Sequence, residues 1–233
     1  MSTHKLNRIL CLAEPRGDVD TVERVLLTAD HHRADAVALV GDLTAGGTRA
    51  GHRALFRALG AGGLPAFWVP GPGDASVAHY VREAHDVGLV HPAVHGVHGT
   101  AAFAPDGHVV FAGLGGTIDD DPDAVREEIA ALRYPRWEAE YRLRILDELG
   151  GQQPVLLFAT PPAHKGRNVP GSEVVAELVA THRARLVVCG GEPVTELIGR
   201  TLVVAPGSLS DGRFAIADLH AREAEASVLT EVA

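Results

Sequence analysis

Apolar residues along this chain fall in short continuous blocks. Most of these blocks end in a glycine- or proline-containing turn and are followed by a stretch with helical spacing. Leu6–Leu12 is apolar apart from Asn7 and Arg8, and it empties into a turn at Ala13–Gly17. Val19–Arg33 carries Val22, Val25, Leu26 and Ala29 at helical spacing, with Asp18 as its N-cap. Ala36–Val40 predicts a second buried strand, stopped by Gly41-Asp42, and Thr48–Leu59 a second helix. Ala66–Val69 predicts a third strand, ended by Pro70-Gly71-Pro72-Gly73, and Val77–Val87 a short helix. This alternation implies a parallel sheet with its functional loops at the strand C-terminal ends.

The middle is less regular. Val90–Ala104 and His108–Leu114 read as shorter strands around Pro105-Asp106-Gly107. An acidic cluster, Asp119–Asp123, precedes Val125–Leu132, and Pro135–Leu149 predicts a helix. Its Trp137, Tyr141, Ile145 and Leu149 stripe is expected to face the core. Then come strand Pro154–Ala159, helix Ser172–Thr181 and strand Arg185–Cys189. Strands near Thr195–Val204, Arg213–Asp218 and Glu225–Thr230 close the chain. Loop Pro161–Gly171, rich in Gly, Pro and basic residues, is expected at the surface and mobile. With 233 residues, 46% of them hydrophobic, one domain over 1–233 with a proper core is expected.

The net charge of −9 and the lack of any basic block argue against nucleic-acid binding. Apolar runs of strand length argue against a membrane span, and the N-terminus reads as a first strand rather than a signal peptide. Cys11 and Cys189 sit in apolar runs and read as buried reduced thiols of a cytoplasmic protein. Among the thirteen histidines, His91, His95 and His98 are the densest group and read as scattered surface residues. The chain has no Walker loop, GxSxG or CxxC.

Five strand-end motifs carry a resemblance. They are Glu14-Pro15-Arg16-Gly17, Gly41-Asp42, Pro70-Gly71-Pro72-Gly73-Asp74, Thr160-Pro161-Pro162, and Cys189-Gly190-Gly191-Glu192-Pro193, the last followed by Pro206-Gly207-Ser208. In order and frame the chain resembles the calcineurin-like metallophosphoesterases from Ile9 to Leu219. The resemblance implies an α/β four-layer sandwich, two mixed β-sheets flanked by helices. It also implies a dinuclear metal centre in which carboxylates and histidines clamp a phosphate and activate water.

The ligand positions, however, have changed. The family's Asp-x-His-Gly is Glu14-Pro15-Arg16-Gly17 here. Its Asn and catalytic His are Pro72 and Gly73, its His before Pro-Pro is Thr160, and its last two histidines are Gly191 and Pro193. Asp42 survives outright and Glu14 as a homologue, so these two are the remaining metal candidates, for weak Mg²⁺ or Ca²⁺. Arg16, which cannot ligate, is expected to replace the metal's charge through a salt bridge with Glu14, Asp42 or Asp74; the alternative is that it points to solvent.

The leading expectation is a non-catalytic member with no cofactor and no catalytic residue. Its vestigial cleft, formed by Glu14, Arg16, Asp42, Asp74, Thr160, His164 and Arg167, would bind a small anionic or phosphorylated ligand or a protein partner. Lys165 would contribute from the same basic loop. The alternatives are a scaffold or interaction subunit, and a metal-dependent phosphomonoesterase or phosphodiesterase with a remodelled site.

Overall fold

The computed structural model describes residues 5–149, 152–164 and 171–229. The first half runs β1 (Arg8–Ala13), α1 (Val19–Leu27), β2 (Ala36–Val40), α2 (Arg49–Ala61), β3 (Ala66–Trp68), α3 (Val77–Gly88), β4 (Val94–Gly96) and β5 (Ala101–Phe103). Then follow β6 (Val110–Leu114), β7 (Thr117–Asp119), β8 (Arg133–Pro135), α4 (Arg136–Leu143), α5 (Ile145–Glu148), β9 (Val155–Phe158) and α6 (Glu173–Thr181). The chain closes with β10 (Leu186–Cys189), β11 (Val194–Ile198), β12 (Thr201–Ala205), β13 (Arg213–Asp218) and β14 (Glu223–Val228).

Two mixed six-stranded sheets result, ordered β14-β13-β1-β2-β3-β4 and β11-β12-β10-β9-β6-β5. The central strands are buried on both faces, which is why they read as unbroken apolar runs. Ile9, Cys11, Ala38, Phe67, Phe111, Leu157 and Val188 pack between the sheets. The Phe67 and Phe111 rings stack there, with centroids 3.7 Å apart and planes 2° apart. Leu10, Leu12, Leu39 and Trp68 face outward onto Val22, Val25, Leu55 and Phe56 of the helices, and Leu156, Phe158 and Val187 share an outer cluster with Leu143, Val175 and Leu178. The expected four-layer sandwich is therefore present.

Local chemistry sets the helix starts. The side chains of Asp18, Thr48 and Ser172 each accept a backbone N–H at the head of α1, α2 and α6. From the acidic cluster, Asp120 accepts Ser172 Oγ–H at 2.6 Å and the Glu173 and Val174 amides, so it doubles the α6 cap.

Several expectations need correction. The first helix stops at Leu27 rather than Arg33. Val90–Ala104 splits into β4 and β5, which join different sheets. Thr195–Val204 is a hairpin rather than one strand, because Gly199 at φ 63° allows the turn that pairs β11 with β12. Pro135–Leu149 is two short helices, and its aromatic stripe faces outward: Trp137 is 62% and Tyr141 69% exposed. The buried face of α4 is instead Glu138, Ala139 and Leu143, and Arg142 donates to Glu138 at 2.7 Å.

His98 is not a surface residue either. Its Nδ1 accepts the Gly115 N–H at 2.9 Å, so Nε2 carries the proton and donates to Tyr134 Oη at 2.9 Å. Burial pushes its pKa down to about 3. His95 stacks on Phe67 instead. Among the described residues no helix is long and apolar enough to cross a membrane.

Candidate functional site

The parallel pairing of β1 with β2 continues past both strands into the loops. Glu14 N donates to Val40 O, Arg16 N to Asp42 O and Gly17 N to Leu43 O, at 2.9, 3.0 and 3.1 Å. Holding this register places Glu14 and Arg16 at φ 49° and 48°, a left-handed conformation that costs a non-glycine residue about 1–3 kcal/mol. The loop after β3 closes on the loop after β2 with almost no space. A Cβ at Gly71 would lie 2.2 Å from Asp42 Oδ1, so only glycine fits there.

This arrangement brings Glu14, Arg16, Asp42 and Asp74 to one end of the sandwich, where they divide into three environments. The Glu14 carboxylate accepts Arg16 Nη2–H at 2.5 Å, with Arg16 57% and Glu14 22% exposed at the side chain. The pair bridges toward the last motif, where the Gly191 N–H donates to Glu14 Oε1 at 3.4 Å. Asp42 is half-buried and accepts the Gly73 N–H at 2.8 Å. Burial holds its pKa above the usual carboxylate value, with Asp74 and Glu14 pushing the same way and the Gly73 amide and Arg16 opposing.

Asp74 is fully buried and points inward. It accepts from Leu43 N (2.7 Å), Gly71 N (2.9 Å), Thr44 N (3.0 Å), Thr44 Oγ1 (3.1 Å) and His52 Nε2 (3.1 Å). Asp74 is thus a pin between two loops, and the salt bridge of Arg16 goes to Glu14 instead.

The other expected residues are placed differently. Thr160 donates to Gly116 O at 3.2 Å and accepts the Ile118 N–H at 3.3 Å, so its hydroxyl fastens neighbouring backbone. His164 lies against Glu196, 3.5 Å away, on β11. Arg167 and Lys165 lie outside the described residues. His52 and Thr44 were not singled out in the sequence, where a helical histidine and a loop threonine give no signal. Arg213 was missed too: its Cδ would lie 2.8 Å and Pro193 Cγ 2.7 Å from a Cβ on Gly207, so its stem stands beside the last motif.

A dinuclear metal centre does not fit this donor set. Glu14 is engaged by a guanidinium and Asp74 by five donors, and positions 16, 72, 73, 191 and 193 offer no ligating side chain. A Cβ at Gly73 would stand 3.0 Å from the Asp42 carboxylate atoms, so a restored side chain would have to displace them. Among the described residues no group of three or more His, Cys, Asp or Glu is arranged to hold a metal.

A family model for metallophosphoesterases of the calcineurin superfamily matches residues 1–229. The chain belongs to that family. Its fold matches the crystal structure of TT1561 of Thermus thermophilus, 42% identical, over 96% of this chain and 99% of that one, with a TM-score of 0.91. It also resembles an archaeal phosphodiesterase (11% identical, 95% and 99% covered, TM-score 0.55). A further match is GAP50, the anchor in the inner membrane complex of Plasmodium (12% identical, 96% and 88% covered, TM-score 0.52). These last two share the fold. A comparison with curated proteins finds no match.

Proposed function

We propose that this chain is a non-catalytic, cytoplasmic member of the metallophosphoesterase family that binds a small anionic or phosphorylated ligand at its vestigial cleft. One observation carries this reading. The three carboxylates Glu14, Asp42 and Asp74 already have partners within the protein: Glu14 has Arg16, Asp42 has the Gly73 amide, and Asp74 has five donors. Hydrolysis in this family needs those oxygens on metals, and a histidine where Gly73 stands, each effect worth orders of magnitude. An anion entering the cleft would meet exposed Arg16 and, by the last motif, Arg213. A guanidinium can turn its fork from Glu14 to a phosphate.

Hydrolysis of aryl phosphomonoesters and phosphodiesters with added Mn²⁺ tests the reading. Rates at background are expected. Robust turnover that disappears in Asp42→Ala would refute it.

A second reading, a protein-binding scaffold, is favoured by exposed Trp137 and Tyr141 on α4. GAP50, described as an anchor, gives the fold a precedent as a platform.

A further inference from the structure

Three arginines stand on three separate turns at the end of the sandwich opposite the cleft. Arg183 follows α6, Arg200 sits in the β11–β12 turn and Arg222 ends the β13–β14 turn. They line one cavity of about 390 Å³, with Gln153 and Thr201 as its other polar residues and no carboxylate on its walls. Strands β9, β10 and β12 begin at this end, whereas Thr160, Gly191 and Ser208 follow their far ends.

The turns are fastened to one another. Arg185 Nε and Nη2 donate to Leu219 O at 3.1 and 2.9 Å, which ties the β13–β14 turn to the start of β10. Thr201 Oγ1 donates to Ala184 O at 2.7 Å, and Leu202 N to Arg185 O at 3.1 Å, which ties the β11–β12 turn to the same place. The positions from which the three guanidiniums project are therefore set before any ligand arrives.

Some exposed arginines of this acidic chain have found carboxylates: Arg49 and Arg53 share Glu83, Arg126 pairs with Glu128, and Arg136 pairs with Glu140 and Glu177. Arg33, Arg57, Arg82 and Arg144 have found none among the described residues, but they are scattered over separate elements, whereas Arg183, Arg200 and Arg222 share one cavity. Among the described residues no carboxylate pairs with Arg183, Arg200 or Arg222. Attraction to the C-terminus of α6 accounts for Arg183. It does not account for Arg200 or Arg222, which sit on hairpins.

We propose that this cavity is a second ligand site, for a small anion carrying two or more phosphate groups. Guanidinium forks match phosphate oxygens, three of them match a multiple charge, and the volume falls within the range of small-molecule sites. The same chemistry is offered by a soluble polyphosphate and by a phosphorylated lipid headgroup.

Calorimetric titration of the whole protein with inorganic triphosphate at low ionic strength tests the site. Arg183→Gln, Arg200→Gln and Arg222→Gln are made singly and together. All three residues are exposed, so circular dichroism and melting should show an intact fold. Each single change is expected to weaken binding about tenfold or more, as loss of a charge-assisted hydrogen bond does. The triple variant should lose this binding event, any binding that remains being removed by Arg16→Ala at the cleft, and Arg57→Gln, on α2 outside both sites, should bind like the wild type. Three results would overturn the proposal: no binding by the wild type, unchanged binding by the triple variant, or loss in Arg16→Ala with the triple variant unaffected. That last result would return the anion to the cleft. Cosedimentation with phosphatidylcholine vesicles, with and without a phosphatidylinositol bisphosphate, separates the two sources. Pelleting that needs the three arginines identifies a headgroup. Triphosphate binding without pelleting identifies a soluble anion.

Discussion

His52 Nε2 stands 3.1 Å from Asp74 Oδ1, and both side chains are fully buried. Asp74 is the last residue of the Pro-Gly motif and would be read as lining the cleft. Its four other donors come from Leu43, Thr44 and Gly71, so it holds the loop after β3 against the loop after β2 from within. Replacing Asp74 with Ala leaves these donors buried and unpaired. A loss of about 3–5 kcal/mol is expected from urea denaturation, the range seen when one partner of a buried pair is removed. A loss below about 1 kcal/mol would mean that water takes over the carboxylate's role.

Arg16 and Glu14 make the opposite case. Their contact is short, but the Arg16 side chain is 57% exposed. Solvent screens such a pair, so Arg16→Ala is expected to lower stability by less than about 1 kcal/mol. The measurement is the same denaturation series, read against ionic strength.

Asp42 predicts a pH dependence. Its folded pKa is raised, chiefly by burial, above that of the unfolded chain. The folded state therefore holds this proton more tightly. That contribution to stability is fully present below the unfolded value, about 3.9, and is lost as pH rises through the raised folded value. Asp42→Asn keeps an acceptor for the Gly73 amide and never ionises. It is expected to melt above the wild type at about pH 7, with the gap closing as pH falls from the raised folded value to the unfolded one. A constant gap across that range would show that the charge is not the cause.

The donor set predicts metal content. Protein purified without chelators is expected to carry no pair of transition-metal ions. Elemental analysis finding about two Mn, Fe or Zn per chain would overturn the fit argument.

The outward stripe on α4 predicts that Trp137→Ser and Tyr141→Ser each change stability by less than about 0.5 kcal/mol. Core residues of that size would cost several times more on truncation, so thermal melts separate the two cases.

Much of the fold was legible in the sequence because it rests on local signals. Ala36–Val40 and Val155–Phe158 read as strands because burial on both faces removes every polar residue from them. Asp18, Thr48 and Ser172 mark helix starts by chemistry that reaches only three residues along the chain. The lost ligands were equally legible, since glycine and proline have no donor side chain in any fold. Contacts between distant segments decided the rest. Trp137 and Tyr141 show helical spacing, but nothing in that spacing says which face of α4 meets the sheet. Asp74 and Asp42 are both motif carboxylates, yet one turns inward to five donors and the other stays half open, because the partners of Asp74 lie 22 to 31 residues earlier as well as beside it. The meeting of Arg183, Arg200 and Arg222 depends on three turns from two sheets, which only the closed sandwich brings together.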